Sequence, residues 1–154
     1  MSDCVFCKIL VREIPSTMVY ESDNVAAFLD IGPMEKGHML VVPKRHWASL
    51  ADVPAPLSGA DRVVWDELFD VVRLLAKAAI RAGAAGANVL QCNGAAAGQT
   101  VGHLHFHVIP RPAGGPVPPA FESGAASYAD DFERRATADW LKAALAAVRA
   151  EESR

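Results

Sequence analysis

The stretch GQTVGHLHFHVIPR, residues 98–111, holds three of the chain's five histidines, at positions 103, 105 and 107, each followed by an apolar residue. On a β-strand, residues i, i+2 and i+4 face one way. His103, His105 and His107 therefore share a face, while Leu104, Phe106 and Val108 pack on the other. The alternation predicts a half-buried strand over 103–110, closed by Pro110, whose outward side is imidazole. A single ion held by all three rings is excluded by strand rise. Residues i and i+4 lie roughly 13 Å apart along a strand, against metal–nitrogen bonds of about 2 Å. The rings must divide the labour. Imidazole suits this, because its unperturbed pKa near neutral lets it act as nucleophile, acid or hydrogen-bond donor. Just upstream, Asn93 to Thr100 is a turn of small residues. Such a turn lets backbone N–H groups approach an anion closely, so a phosphate held there would lie beside the histidine row.

Around this segment the chain reads as alternating short elements. MVYESDNVAAFLD (18–30) is two strands joined at Ser22-Asp23-Asn24, and GHMLVVP (37–43) is a third strand begun by glycine and ended by proline. Residues 51–62 read as a loop. In 61–83, Val64, Leu68, Val71, Val72, Leu75 and Ala79 recur at spacings of three and four, predicting an amphipathic helix stopped at Gly83. ANVLQCN (87–93) is a fourth strand. The Pro- and Gly-rich segment 111–125 reads as irregular, and Thr137 is the expected cap of a last helix from about Ala138 to Val148. The order β-β-β-α-β-β predicts an α+β fold with a mainly antiparallel sheet. No internal repeat or domain boundary appears. The core falls in 1–112, and 113–154 is a Pro/Gly-rich segment and helix of the same single domain.

Bulk composition narrows the function. With 154 residues, 51% apolar and 21% charged, the chain reads as one soluble domain, and a net charge of −3 lacks the basic footprint of a nucleic-acid binder. No apolar run reaches the ~18 residues of a membrane span. The N-terminus MSDCVFCKIL has no signal-peptide pattern, so the expected location is the cytoplasm, where a structural disulfide between Cys4 and Cys7 is not expected.

HLHFHVI fits the pattern His-φ-His-φ-His-φ-φ, with φ apolar. Together with CVFCKI, FLDIGP, GHMLVVPKRH and NGAAAGQTV, which occur in that order across roughly residues 4–111, it makes the chain resemble the histidine triad (HIT) superfamily of nucleotide hydrolases and transferases. The resemblance implies a five-stranded antiparallel sheet with one main helix packed on it and a C-terminal helix, assembled as a homodimer. It implies cleavage at the α-phosphate of a purine nucleotide through a covalent nucleotidyl-histidine. On this chain His105 would be the nucleophile and His107 would contact the phosphate and the scissile atom. His38 would line the α-phosphate pocket, Gly98, Gln99 and Thr100 would hold phosphate oxygens and the leaving group, and Asn93 would support that loop. Asp30 would accept from the ribose hydroxyls, and Phe28 and Ile31 would form the base slot.

In some branches of the superfamily two such cysteines, a histidine after the Pro-Lys segment and the first histidine of the triad bind zinc. The matching residues are Cys4, Cys7, His46 and His103, a set of soft thiolates and imidazoles suited to structural Zn²⁺; no cofactor is implied for the chemistry itself. FLDI leans toward the Hint-like branch, which favours adenosine phosphoramidates, whereas GQTV is also at home in dinucleoside-polyphosphate hydrolases. Two alternatives use the same residues: a non-catalytic nucleotide-binding module, and a zinc-centred interaction protein that would leave His105, His107 and the glutamine loop unexplained.

Overall fold

The structure is a computed structural model and describes residues 3–115 and 124–154. Five strands form one antiparallel sheet in the order β1-β2-β3-β5-β4: β1 Met18–Glu21, β2 Val25–Leu29, β3 Met39–Pro43, β4 Gly86–Leu90 and β5 Phe106–Arg111. Ser22 Oγ accepts from the Asn24 and Val25 amides and closes the β1–β2 turn. β2 and β3 are buried along their whole length, which is why 18–30 and 37–43 show imperfect alternation: a strand covered on both faces has no polar side.

What covers the two faces differs. On one lie α2 (Gly59–Arg81) and α3 (Asp131–Glu152). Val64, Leu68, Val71, Val72 and Leu75 of α2 and Leu141, Leu145 and Val148 of α3 join Val25, Ala27, Met39 and Val41 in the main core. On the other lies a short helix, α1 (Val5–Leu10), whose Phe6 and Ile9 pack with Ala26, Phe28, Leu40 and Val42.

The architecture agrees with the α+β antiparallel reading, and several boundaries move. α1 was not anticipated: six residues are too few to display a 3.6-residue period. β5 begins at Phe106 rather than 103 and runs through Pro110, past the point where its pairing with β3 ends at Met39–Val108. β4 stops at Leu90, short of Asn93. α2 starts at Gly59, inside the span read as loop. α3 begins seven residues before Ala138, capped by Asp130, whose carboxylate accepts from the Glu133 amide at 2.8 Å. Thr137 lies inside the helix and its hydroxyl donates to the Glu133 carbonyl. Of the irregular segment 111–125, residues 116–123 lie outside the described residues. No helix among the described residues is long and apolar enough to cross a membrane.

Candidate active site

Cross-strand registry sets the floor of the site. Met18 faces Phe28, Phe28 faces Leu40, Leu40 faces His107, and His107 faces Leu90, so one row crosses all five strands. All five residues line a single cavity of about 1060 Å³. α1 roofs part of it with Val5, Phe6 and Ile9, and the Gly98–Thr100 loop closes its other end.

The histidine row is less regular and less exposed than a half-buried strand predicts. Only His107 lies within β5, while His103, at a bend, and His105 precede it outside any strand. His103 and His105 are buried, because Phe6 packs edge-on against both rings, at centroid distances of 5.9 and 5.2 Å. The expected open imidazole face is therefore covered by α1.

Hydrogen bonds fix the tautomer of each ring. His105 Nδ1 lies 2.7 Å from the His103 carbonyl. A carbonyl only accepts, so Nδ1 carries the proton and Nε2 keeps its lone pair. His38 Nδ1 accepts from the Met34 amide at 3.1 Å, so its proton sits on Nε2 and is donated to His107 Nδ1 at 2.9 Å. His107 is left with a donor at Nε2. Burial holds all three neutral: His38 is pushed down to about 4 and His107 to about 3, and His105 also lies below its ordinary value of 6.5. The charge of Asp30 opposes the shift at His38 without cancelling burial. The 3.6 Å approach of Asp30 to His38 is therefore no ion pair at neutral pH.

The residues anticipated for the site divide into two groups. Phe28, Asp30, Ile31, Gly98, Thr100, His105 and His107 line the cavity, with Ile31 at its mouth, 89% exposed. His38, Gln99 and Asn93 do not line it. His38 is fully buried with both ring nitrogens bonded to protein, so it reaches the cavity only through His107. Gln99 donates to the Ala48 and Val101 carbonyls at 2.7 and 2.9 Å and accepts from the Gly94 amide at 2.7 Å, clamping the loop to the 46–48 segment. Asn93 accepts from the Leu50 amide at 2.8 Å. Gly94 and Gly98 both hold positive φ, 84° and 85°, which favours glycine. The loop they bound leaves the Thr100 and Val101 amides without an acceptor among the described residues, donors of the kind that hold an anion. Sequence reasoning overlooked Val5, Phe6 and Ile9, whose apolar spacing in VFCKI was its one available signal.

Cys4, Cys7, His46 and His103 converge beside Phe6, whose ring meets that of His103 edge-on. Their donor atoms lie within 4.8 Å of one another, with Cys4 Sγ–His103 Nδ1 at 3.5 Å, Cys7 Sγ–His46 Nδ1 at 3.3 Å, Cys7 Sγ–His103 Nδ1 at 3.6 Å and His46 Nδ1–His103 Nδ1 at 3.2 Å. Tetrahedral coordination with Zn–S near ~2.3 Å and Zn–N near ~2.05 Å has edges of about 3.3–3.8 Å. His103 Nε2 donates to the Pro43 carbonyl at 2.8 Å, which leaves Nδ1 as the ligating nitrogen and orients the ring. The four residues fit a closed metal site.

An antiparallel sheet whose last strand continues a row of neutral histidines past a glycine loop defines a class of nucleotide-binding proteins. The model of the HIT domain matches residues 11–114. An uncharacterized HIT-like protein of Methanocaldococcus jannaschii is 43% identical over 111 residues, 70% of this chain and 78% of that one. The adenosine 5'-monophosphoramidase of Schizosaccharomyces pombe is 39% identical over 109 residues, 71% and 74%. A zinc-bound histidine triad family protein of Mycobacterium smegmatis superposes with a TM-score of 0.80 at 33% identity over 97% of both chains. The chain belongs to the HIT family.

The buried neutral rings make acid stability a direct readout. Unfolding would return His38 and His107 to a pKa near 6.5 from folded values of about 4 and about 3. The unfolded state then binds more protons below pH 6.5, so stability falls as pH falls. The urea midpoint is expected to hold above about pH 6.5 and to drop between there and about pH 4; His107→Asn should flatten that drop, and a midpoint unchanged down to pH 4 would contradict buried neutral rings.

Proposed function

We propose that the chain is a nucleotidyl hydrolase acting at the α-phosphate of a purine nucleotide, with His105 as nucleophile. The observation that carries the reading is the 2.7 Å hydrogen bond from His105 Nδ1 to the His103 carbonyl, which reserves the Nε2 lone pair for an electrophile. In the first step Nε2 bonds to the α-phosphorus while the bond to the leaving group breaks, and the departing atom takes the electron pair. His107 Nε2–H donates toward that atom, and the Thr100 and Val101 amides accompany the phosphoryl oxygens, stabilising charge as it develops. In the second step a water oxygen bonds to phosphorus, the P–N bond breaks back onto Nε2, and the water's proton leaves to solvent. A phosphoramidate of adenosine is favoured by the likeness to the fission-yeast monophosphoramidase. Asp30, whose Oδ1 is fixed by the Gly32 amide at 2.9 Å, would accept from the ribose diol.

His105→Ala should abolish turnover of an adenosine phosphoramidate while AMP affinity changes little, and quenched mass spectrometry of the unmodified chain should trap a nucleotidyl adduct on His105. Turnover by the variant comparable to the parent would defeat the assignment.

The metal-site geometry and the zinc-bound Mycobacterium smegmatis relative support zinc at Cys4, Cys7, His46 and His103. When bound, the ion would tie α1 to the segment carrying His103 and take no part in phosphoryl transfer. Protein purified without chelator is expected to hold about one zinc per chain by elemental analysis, falling to background in Cys4→Ser; a chain that never holds more than about a tenth of an equivalent lacks the site.

The same reading includes a homodimer. β4 is an edge strand carrying Val89 half exposed, and Phe69 of α2 lies exposed beside Phe106 of neighbouring β5. Light scattering coupled to size exclusion should give twice the chain mass, and a monomer at micromolar concentration would remove this element.

A further inference from the structure

We propose that the charged face of α3 reads the polar edge of the purine base. This deepens the nucleotide reading above and rests on it. From His107 on β5 the cavity floor runs through Leu40 and Phe28 to Met18 on β1. Three strand spacings make that roughly 14 Å. The apolar slot for a flat ring therefore lies between the histidines and β1, under Phe6 and Ile9. Beyond Met18 the cavity continues and its character changes, bounded by Ser16 and by Asp131, Arg134, Arg135, Asp139 and Lys142 of α3.

Those helix residues, with Ala138, recur at steps of three and one and so form one face. At about 1.5 Å per residue the face is about 16 Å long. The other side of α3 buries Leu141, Leu145 and Val148 in the core, so the helix is anchored by its apolar side and offers its charged side to the cavity. Within that face Arg134 and Arg135 pair with Asp131, and Lys142 with Asp139. Exposed pairs of this kind add little stability. Each arginine uses only part of its fork of five donors.

A second observation falls on two residues of this end, whose unpartnered atoms are closed to solvent and meet a base once the Ser16 and Arg134 side chains turn toward the cavity. Among the described residues, three buried side-chain polar atoms have no hydrogen-bond partner, and two of them, Ser16 Oγ and Arg134 Nε, belong to residues of this rim. Native interiors rarely leave such atoms orphaned. A base lying flat in the apolar slot directs its ring nitrogens and exocyclic groups at the rim. Arg134 can only donate, Asp131 can only accept, and Ser16 can do either. Together they match a purine with hydrogen-bonding substituents on its six-membered ring, and they penalise a bare purine, which would leave them unpaired.

Calorimetric titration of the full chain with AMP, GMP, purine riboside 5'-monophosphate and adenosine tests this. In the parent, the tighter of AMP and GMP should exceed purine riboside 5'-monophosphate by at least about five-fold. In Ser16→Ala, which removes one oxygen, and in Arg134→Met, which keeps the stem, the gap should shrink to within about two-fold, with the affinity for purine riboside 5'-monophosphate unchanged. No gap in the parent, or one that persists in either folded variant, overturns the proposal. Should AMP bind no better than adenosine, the nucleotide reading itself fails and takes this proposal with it. Circular dichroism confirms folding, and Ser16→Ala decides alone if Arg134→Met does not fold.

Discussion

The hydrogen bond from His105 Nδ1 to the His103 carbonyl is the constraint on which the site depends. A free imidazole samples both tautomers, and only one presents Nε2 as a lone pair. Tying the ring to a backbone carbonyl two residues away removes that choice without borrowing a side chain. His103 in turn is held at both ends: its ring donates to the Pro43 carbonyl and its Nδ1 joins the four-residue cluster with Cys4, Cys7 and His46. The carbonyl that orients the candidate nucleophile thus belongs to a residue that is itself immobilised, a preorganised arrangement in which the ring need not reorganise as charge develops.

The same logic recurs one step away. The Met34 amide sets His38, His38 sets His107, and burial keeps both rings uncharged. A buried imidazolium would be costly unless paired, and Asp30 approaches His38 without winning against desolvation. The outcome is a pair of rings at the cavity wall with opposite offers, a lone pair on His105 and a donor on His107. Phe6 packed on the His105 ring and Leu40 opposite His107 add to the desolvation that keeps the rings uncharged.

Much of this was legible before folding. The strands at 18–30 and 37–43, the stripe of α2 and the clustering of cavity residues around 98–107 follow from periodicity and motif. The misreadings have identifiable causes. α1 is too short to show a period, yet it covers the histidines. The start of α3 was sought at Thr137 because a threonine there looks like a cap, whereas Asp130 caps it and Glu133 follows three residues later, the spacing of a capping box. His38 and Gln99 were expected to touch phosphate. In the folded chain His38 is bonded to the Met34 amide and to the His107 ring, and Gln99 to backbone groups of its own loop and of the 46–48 segment, so neither side chain lines the cavity and each acts on it through a neighbour.

Taken alone, the amino-acid order determined the family, the sheet, and which residue types gather near the phosphate loop, because strand alternation and glycine placement are local properties of the chain. Only the tertiary structure decided which nitrogen of each histidine is free, that α1 roofs the triad, and that a face of α3 borders the cavity. Those outcomes depend on contacts between residues distant in sequence, such as His103 with Cys4 and Cys7, or Gly37 with Tyr128. No local pattern encodes them, since the free energy that selects them is the burial of surfaces that meet only in the folded molecule.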